Sequence, residues 1–150
     1  MTYIIAVSNE KGGVAKTTTT LSLGAALAEL NHHVLLVDLD PQSNLSLALG
    51  LETGEAELTS ANVLIENTPI KSAIRKTDVA NLELIPSNAR IESAEQYLPM
   101  RSNYLQTLRQ AIHAGVLNYD YILFDCPPAL GAITLNAPSA ADLPILPTHA

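Results

Sequence analysis

Short unbroken apolar runs alternate with longer stretches of helical spacing along most of this chain. The clearest runs cover residues 3–7, 33–37 and 119–125. A run with no polar face is the pattern of a strand covered on both sides in a parallel sheet. Weaker runs at 81–86 and 143–146 predict two more strands. Between the first two runs, residues 17–30 predict a helix rich in Ala and Leu, with Gly24 lowering its propensity slightly and Asn31 as its stop. Short helices are predicted over 44–49, closed by Gly50, over 59–67 and over 69–76. Residues 91–98 and 103–114 also have helical periodicity, and in the second Leu105, Leu108 and Ile112 share one face. A last helix is predicted over 131–142, broken or ended near Pro138. Strand, helix, strand in this order makes parallel neighbours with a right-handed crossover. The expected fold is therefore a doubly wound, mostly parallel α/β sheet, with ligand chemistry at the carboxyl ends of its strands.

The densest candidate chemistry follows the first run, in Glu10-Lys11-Gly12-Gly13-Val14-Ala15-Lys16-Thr17-Thr18. A glycine loop between a strand and a helix start points backbone N–H groups inward, and the positive end of the helix dipole adds to them. Gly12 and Gly13 allow phosphate oxygens to come close. Lys16 then reaches the β- and γ-phosphates, and Thr17 offers a hydroxyl to Mg²⁺. Lys11, Gly12, Gly13, Val14, Ala15, Lys16, Thr17 and Thr18 are all candidate nucleotide contacts. The ordinary pattern G-x-x-x-x-G-K-[ST] fails twice, at Glu10 and at Ala15. An alanine at 15 is tolerable only with negative φ.

Carboxylates close two of the strands. Asp38 and Asp40 lie in Asp38-Leu39-Asp40-Pro41-Gln42, which alone reads equally well as a helix-capping connection. Asp125 ends the run Tyr121-Ile122-Leu123-Phe124, where a carboxylate typically binds Mg²⁺ through a coordinated water. Cys126 beside it reads as a buried apolar thiol. His32, His33, His113 and His149 make no metal-ligand spacing, and the adjacent pair is expected to be exposed. Tyr97, Tyr104, Tyr119 and Tyr121 read as packing residues.

Composition narrows the class. The 150 residues suffice for a real core, and 47% hydrophobic with 15% charged residues suits a compact α/β protein. A net charge of −7 argues against a dedicated nucleic-acid module, although six of the eight Lys and Arg residues fall between Lys71 and Arg109. One cysteine excludes an intrachain disulfide and points to a reducing, cytoplasmic setting. No signal peptide and no membrane span are visible in these residues.

The wording K-G-G-x-x-K-[ST] at Lys11 resembles the deviant Walker A family that contains ParA, Soj and MinD. D-L-D-P-Q, I-P-S-N at Ile85–Asn88 and D-C-P-P follow in that family's order. The resemblance spans the chain and implies a P-loop NTPase-like fold, ATP and Mg²⁺ as ligands, and ATP hydrolysis. It assigns Lys11 to the partner's nucleotide across a dimer, Asp40 to the attacking water, and Asp38 to the supporting shell near Mg²⁺. It implies a homodimer formed on ATP binding, a ParB-like stimulating protein and non-specific DNA as partners, a nucleoid-associated cytoplasmic location and no membrane. The implied work is plasmid or chromosome partitioning. Family members are longer, so residues 1–150 are expected to be the N-terminal part of one nucleotide-binding domain, with most of the DNA surface beyond Ala150. The alternatives are a MinD-like ATPase of cell-division placement, which the wording after Asp125 disfavours, and a truncated non-catalytic nucleotide-binding or dimerisation module. A nitrogenase-iron-protein-like reading fails for want of cluster cysteines.

Overall fold

The computed structural model describes residues 1–8, 14–54, 57–128 and 131–147. Six strands form one sheet in the order β3-β4-β2-β5-β1-β6. They are β1 (Tyr3–Val7), β2 (Val34–Asp38), β3 (Arg75–Lys76), β4 (Leu82–Ile85), β5 (Tyr121–Asp125) and β6 (Leu143–Ile145). All neighbours are parallel except the short edge strand β3, which runs antiparallel to β4. The helices are α1 (Val14–Glu29), α2 (Asn44–Ala48), α3 (Ser60–Glu66), α4 (Ala94–Tyr97), α5 (Thr107–Gly115) and α6 (Ala132–Ala140).

Helices cover both faces, as the unbroken apolar runs require. Ile5, Val7, Val34, Leu36, Leu84 and Leu123 point into the core under α1. The alternate residues Ile4, Ala6, Leu35, Val37, Ile122 and Phe124 pack against α3, α5 and α6. Every residue of β2 is buried, so no face of it needs polar groups. β5 slots between β1 and β2, with Val7 and Asp38 both in register with Asp125. That insertion places the ends of three strands, and the start of α1, at one point of the carboxyl edge.

Gly24 has a stronger role than a weak helix former. A Cβ there would sit 2.8 Å from Leu36 Cδ2 and 3.4 Å from Leu82 Cδ1. The glycine lets α1 lie close on β2 and β4. Gly24→Leu is expected to cost about 1–3 kcal/mol through overpacking, more than any helix-propensity gain returns. An unchanged urea midpoint would mean that α1 does not lie this close.

Several expectations need correction. Residues 69–76 do not form a helix. Ile70–Ala73 is a single 3₁₀ turn, Ile74 is extended, and Arg75 and Lys76 pair with β4 as a charged edge. Residues 91–98 are broken into a 3₁₀ turn over Ala89–Ser93, the one-turn α4, and another 3₁₀ turn at Leu98–Met100, where Pro99 lacks the N–H needed to continue. Leu105 leaves the face shared by Leu108 and Ile112, because Tyr104–Gln106 is also 3₁₀ and its period differs. Pro138 does not end α6, which runs on to Ala140. His32 is only half exposed, its ring edge-on to Tyr121 at 5.3 Å. Tyr97 is exposed rather than packed. Asn31, Gly50 and Asn67 do close their helices, each with positive φ.

Candidate functional site

The site is built where α1 begins and β2 and β5 end. Lys11, Gly12 and Gly13 fall outside the described residues, as does the side chain of Val14. Ala15 lies in the first turn of α1 and is absent from the positive-φ residues, so its methyl group meets no backbone strain. Lys16 is 3% exposed. Its Nζ donates to Asp40 Oδ2 at 3.0 Å and to the Cys126 carbonyl, and lies 3.3 Å from Asp125 Oδ1. Thr17 Oγ1 donates to Asp125 Oδ2 at 2.9 Å. Thr18 is exposed beside them.

The second arm is a tight polar knot around Asp38. Its Oδ1 accepts from the Asp40 N–H at 3.1 Å, and its Oδ2 accepts from the Ser46 N–H at 3.0 Å and the Ser46 hydroxyl at 2.7 Å. Asp40 folds back on its own loop, its Oδ1 accepting from the Gln42 N–H at 2.9 Å. The Ser46 hydroxyl also accepts from the Ser87 N–H at 3.1 Å, and Ser43 Oγ donates to the Ser87 carbonyl at 2.9 Å. The I-P-S-N segment thereby joins the site. Ser43, at the start of α2, makes no side-chain cap, so its hydroxyl serves this cross-link instead. Ser46 escaped notice in the sequence, where it is one polar residue in a short helix. One of its partners, Asp38, is eight residues back at the end of β2, and the other, Ser87, is 41 residues on, after β4.

Burial dominates the electrostatics. It alone would lower the Lys16 pKa, but Asp125 and Asp40 outweigh it and hold the ammonium above its ordinary value. Burial pushes Asp125 up, only partly offset by Lys16 and the Thr17 hydroxyl. Burial raises Asp38 to about 7, against the hydrogen bonds from Ser46 and with help from Asp125. A carboxyl raised this way holds its proton longer in the folded state. Its contribution to stability therefore falls as pH rises from the ordinary Asp value towards 7. Burial also raises the Cys126 thiol to about 12, which keeps it inert.

Two carboxylates, Asp40 and Asp125, thus share one described ammonium, with Asp38 held behind them through the Asp40 N–H. Asp125 Oδ1 is buried and makes no well-aligned hydrogen bond among the described residues, its neighbour being the Lys16 ammonium at 3.3 Å. Among the described residues no three His, Cys, Asp or Glu side chains form a ready cage for a metal. An ion held by one or two protein oxygens plus phosphates needs no such cage, and that is the habit of Mg²⁺. Thr17 and Asp125 fit such an ion. A cavity of about 610 Å³ opens beside Lys16, Thr17, Asp40 and Pro128. A larger one, about 680 Å³, lies between α3 and α5. Of the two cations that line it, Lys71 and Arg101, the second is occupied by the Leu64 and Ile65 carbonyls at the end of α3.

The family model described as AAA domain matches residues 2–150. The chain belongs to this AAA domain family. Among curated relatives it is 43% identical to the sporulation initiation inhibitor protein Soj of Bacillus subtilis, over 99% of this chain and 59% of Soj. It is 40% identical to the chromosome partitioning protein ParA of Myxococcus xanthus, over 96% of this chain and 51% of ParA. The chain thus spans between half and three fifths of the length of these relatives. Among solved structures, cobyrinic acid a,c-diamide synthase from Mycobacterium smegmatis with bound ATP analogue and magnesium superposes with a TM-score of 0.93 at 40% identity. That match covers 99% of this chain and 60% of that one. This AAA domain family member shares the P-loop NTPase-like fold of that neighbour, and no helix among its described residues is long and apolar enough to cross a membrane.

Proposed function

We propose that this chain carries the catalytic half of a Mg²⁺-dependent ATPase of the ParA type, an ATP-driven dimer switch for plasmid or chromosome partitioning. The observation that carries this reading is the convergence of Lys16, Thr17 and Asp125 at the start of α1, with the two Asp125 oxygens facing the Lys16 ammonium and the Thr17 hydroxyl. Lys16 swings from the carboxylates to the β- and γ-phosphates when ATP enters. Thr17 and Asp125 would hold Mg²⁺, which would supply neutralising charge to the phosphates. Asp38 keeps the Asp40 loop in place through its bond from the Asp40 N–H, and Asp40 orients the attacking water. Lys11 reaches the nucleotide of a second copy across a twofold axis. Gly12, Gly13, Val14, Ala15 and Thr18 complete the phosphate contacts. A ParB-like protein stimulates hydrolysis, and non-specific DNA binds the dimer on the nucleoid.

Asp125→Asn tests the metal assignment. It should raise the Mg²⁺ concentration needed for ATP binding by about 10- to 100-fold, the usual effect of losing an outer partner of a metal. Metal-free binding should change far less. Overlaying titration curves would reduce Asp125 to a strand-end cap.

The name of the M. smegmatis neighbour supports a second reading, in which ATP activates a carboxylate for amide formation. Multiple-turnover phosphate release without any carboxylate co-substrate separates the two, and also excludes a non-catalytic module. Sensitivity to membrane vesicles would favour the MinD-like alternative.

A further inference from the structure

The loop from Asp125 to α6 is anchored at its far end by a side chain from elsewhere in the fold. At the start of α6 the Thr134 hydroxyl accepts from the Gly131 N–H at 2.7 Å, but Gly131 has no side chain of its own to meet the N–H groups that follow. Glu95 on α4 meets those of Ala132 and Ile133. Its Oε2 accepts from Ala132 at 2.5 Å and its Oε1 from Ile133 at 3.4 Å. A carboxylate at the positive end of a nine-residue helix gains from the dipole as well. Gly131 is extended, with φ −175, so glycine is not required there for conformation. Its bearing is on space, since a Cβ would press into the Glu95 carboxylate and push it off the helix start.

Glu95 also belongs to the other arm of the site. α4 continues the segment that leaves β4 through Ser87, and Ser87 is bonded to Ser43 and Ser46 beside the Asp40 loop. At the near end of the 126–131 loop, the Cys126 N–H donates to the Val7 carbonyl at 3.1 Å, while its own carbonyl accepts from Lys16. Cys126 is therefore held by β1 and Lys16, and the start of α6 by Glu95. We propose that Glu95 is a positioning residue for the metal–nucleotide site, resting on the ATPase reading above. It fixes the start of α6, and so keeps Asp125 and the Cys126 carbonyl aligned with Lys16 and tied to the Asp40 arm.

The test uses the whole chain with Glu95→Ala, Glu95→Gln and Gly131→Ala. Amide hydrogen exchange across 126–135 reads the tether, and Mg²⁺ titration of ATP binding reads the site. Glu95→Ala should speed exchange at Ala132 and Ile133 and raise the Mg²⁺ midpoint by about tenfold, with metal-free ATP affinity within about twofold. Gln keeps one acceptor and should fall between Ala and the parent. Gly131→Ala should resemble Glu95→Ala and add little to it, because the two changes disturb one contact. Faster exchange and lower thermal stability with an unmoved Mg²⁺ midpoint would make Glu95 only a helix cap and overturn the proposal. A parent that binds no Mg-ATP would instead sink the ATPase reading, and the positioning role with it, whatever the exchange data show.

Discussion

Lys16→Ala is expected to abolish measurable Mg-ATP binding. The ammonium is the one described cation aimed into the cluster, and charge-assisted bonds to phosphate contribute about 1.5–3 kcal/mol each. Losing contacts to both the β- and γ-phosphates weakens affinity by about two orders of magnitude or more. The same change leaves Asp40 and Asp125 without their shared counter-ion. Breaking a buried pair costs about 3–5 kcal/mol, so the variant should also be less stable. The sign with pH follows from the shifts. Lys16 restrains the burial-raised pKa of Asp125, and without it that carboxyl stays protonated to higher pH. The stability deficit of Lys16→Ala should therefore grow as pH rises from the ordinary carboxylate range towards neutrality, and shrink in acid. Calorimetric titration with Mg-ATP, at a pH where circular dichroism shows a folded variant, decides the binding claim. Unchanged affinity would remove Lys16 from the phosphate site.

Asp40→Ala should separate binding from hydrolysis. Asp40 Oδ2 holds Lys16 at 3.0 Å and competes with phosphate for that ammonium. Removing the carboxylate frees Lys16 for ATP, so affinity should be retained or improved. Hydrolysis should fall by about 10²–10⁴-fold, the range of a positioned acid–base group. An ATP-bound dimer should then persist where the parent's decays. Hydrolysis at the parental rate would exclude Asp40 from the chemistry.

Legibility in the sequence followed the kind of interaction involved. The buried strands were readable because a two-sided core demands unbroken apolar residues, as in Val34-Leu35-Leu36-Val37. Helix ends at Asn31, Gly50 and Asn67 were readable because left-handed backbone selects a few residue types. Lys16, Thr17, Asp38, Asp40 and Asp125 could be singled out as candidates because each stands near a strand end or a helix start, where the fold class puts ligands. The misreadings concern local geometry close to the borderline. Residues 69–76 and 91–98 have helical spacing, yet Pro69, Pro99 and the pairing of Arg75 with Leu84 favour 3₁₀ turns and an edge strand. The roles of Gly24, Ser46 and Glu95 were illegible for another reason. Each depends on a partner far along the chain, respectively Leu36, Ser87 and the start of α6. Spacing carries no trace of such a contact.

The start of α1, with Asp40 and Asp125, is expected to bind Mg²⁺ and a nucleoside triphosphate together. Isothermal titration of ATP into the chain, with Mg²⁺ and with a chelator, tests it most directly. The expected result is one ATP per chain, with affinity at least about tenfold higher when Mg²⁺ is present. No heat of binding, or the same affinity with and without Mg²⁺, would contradict the account.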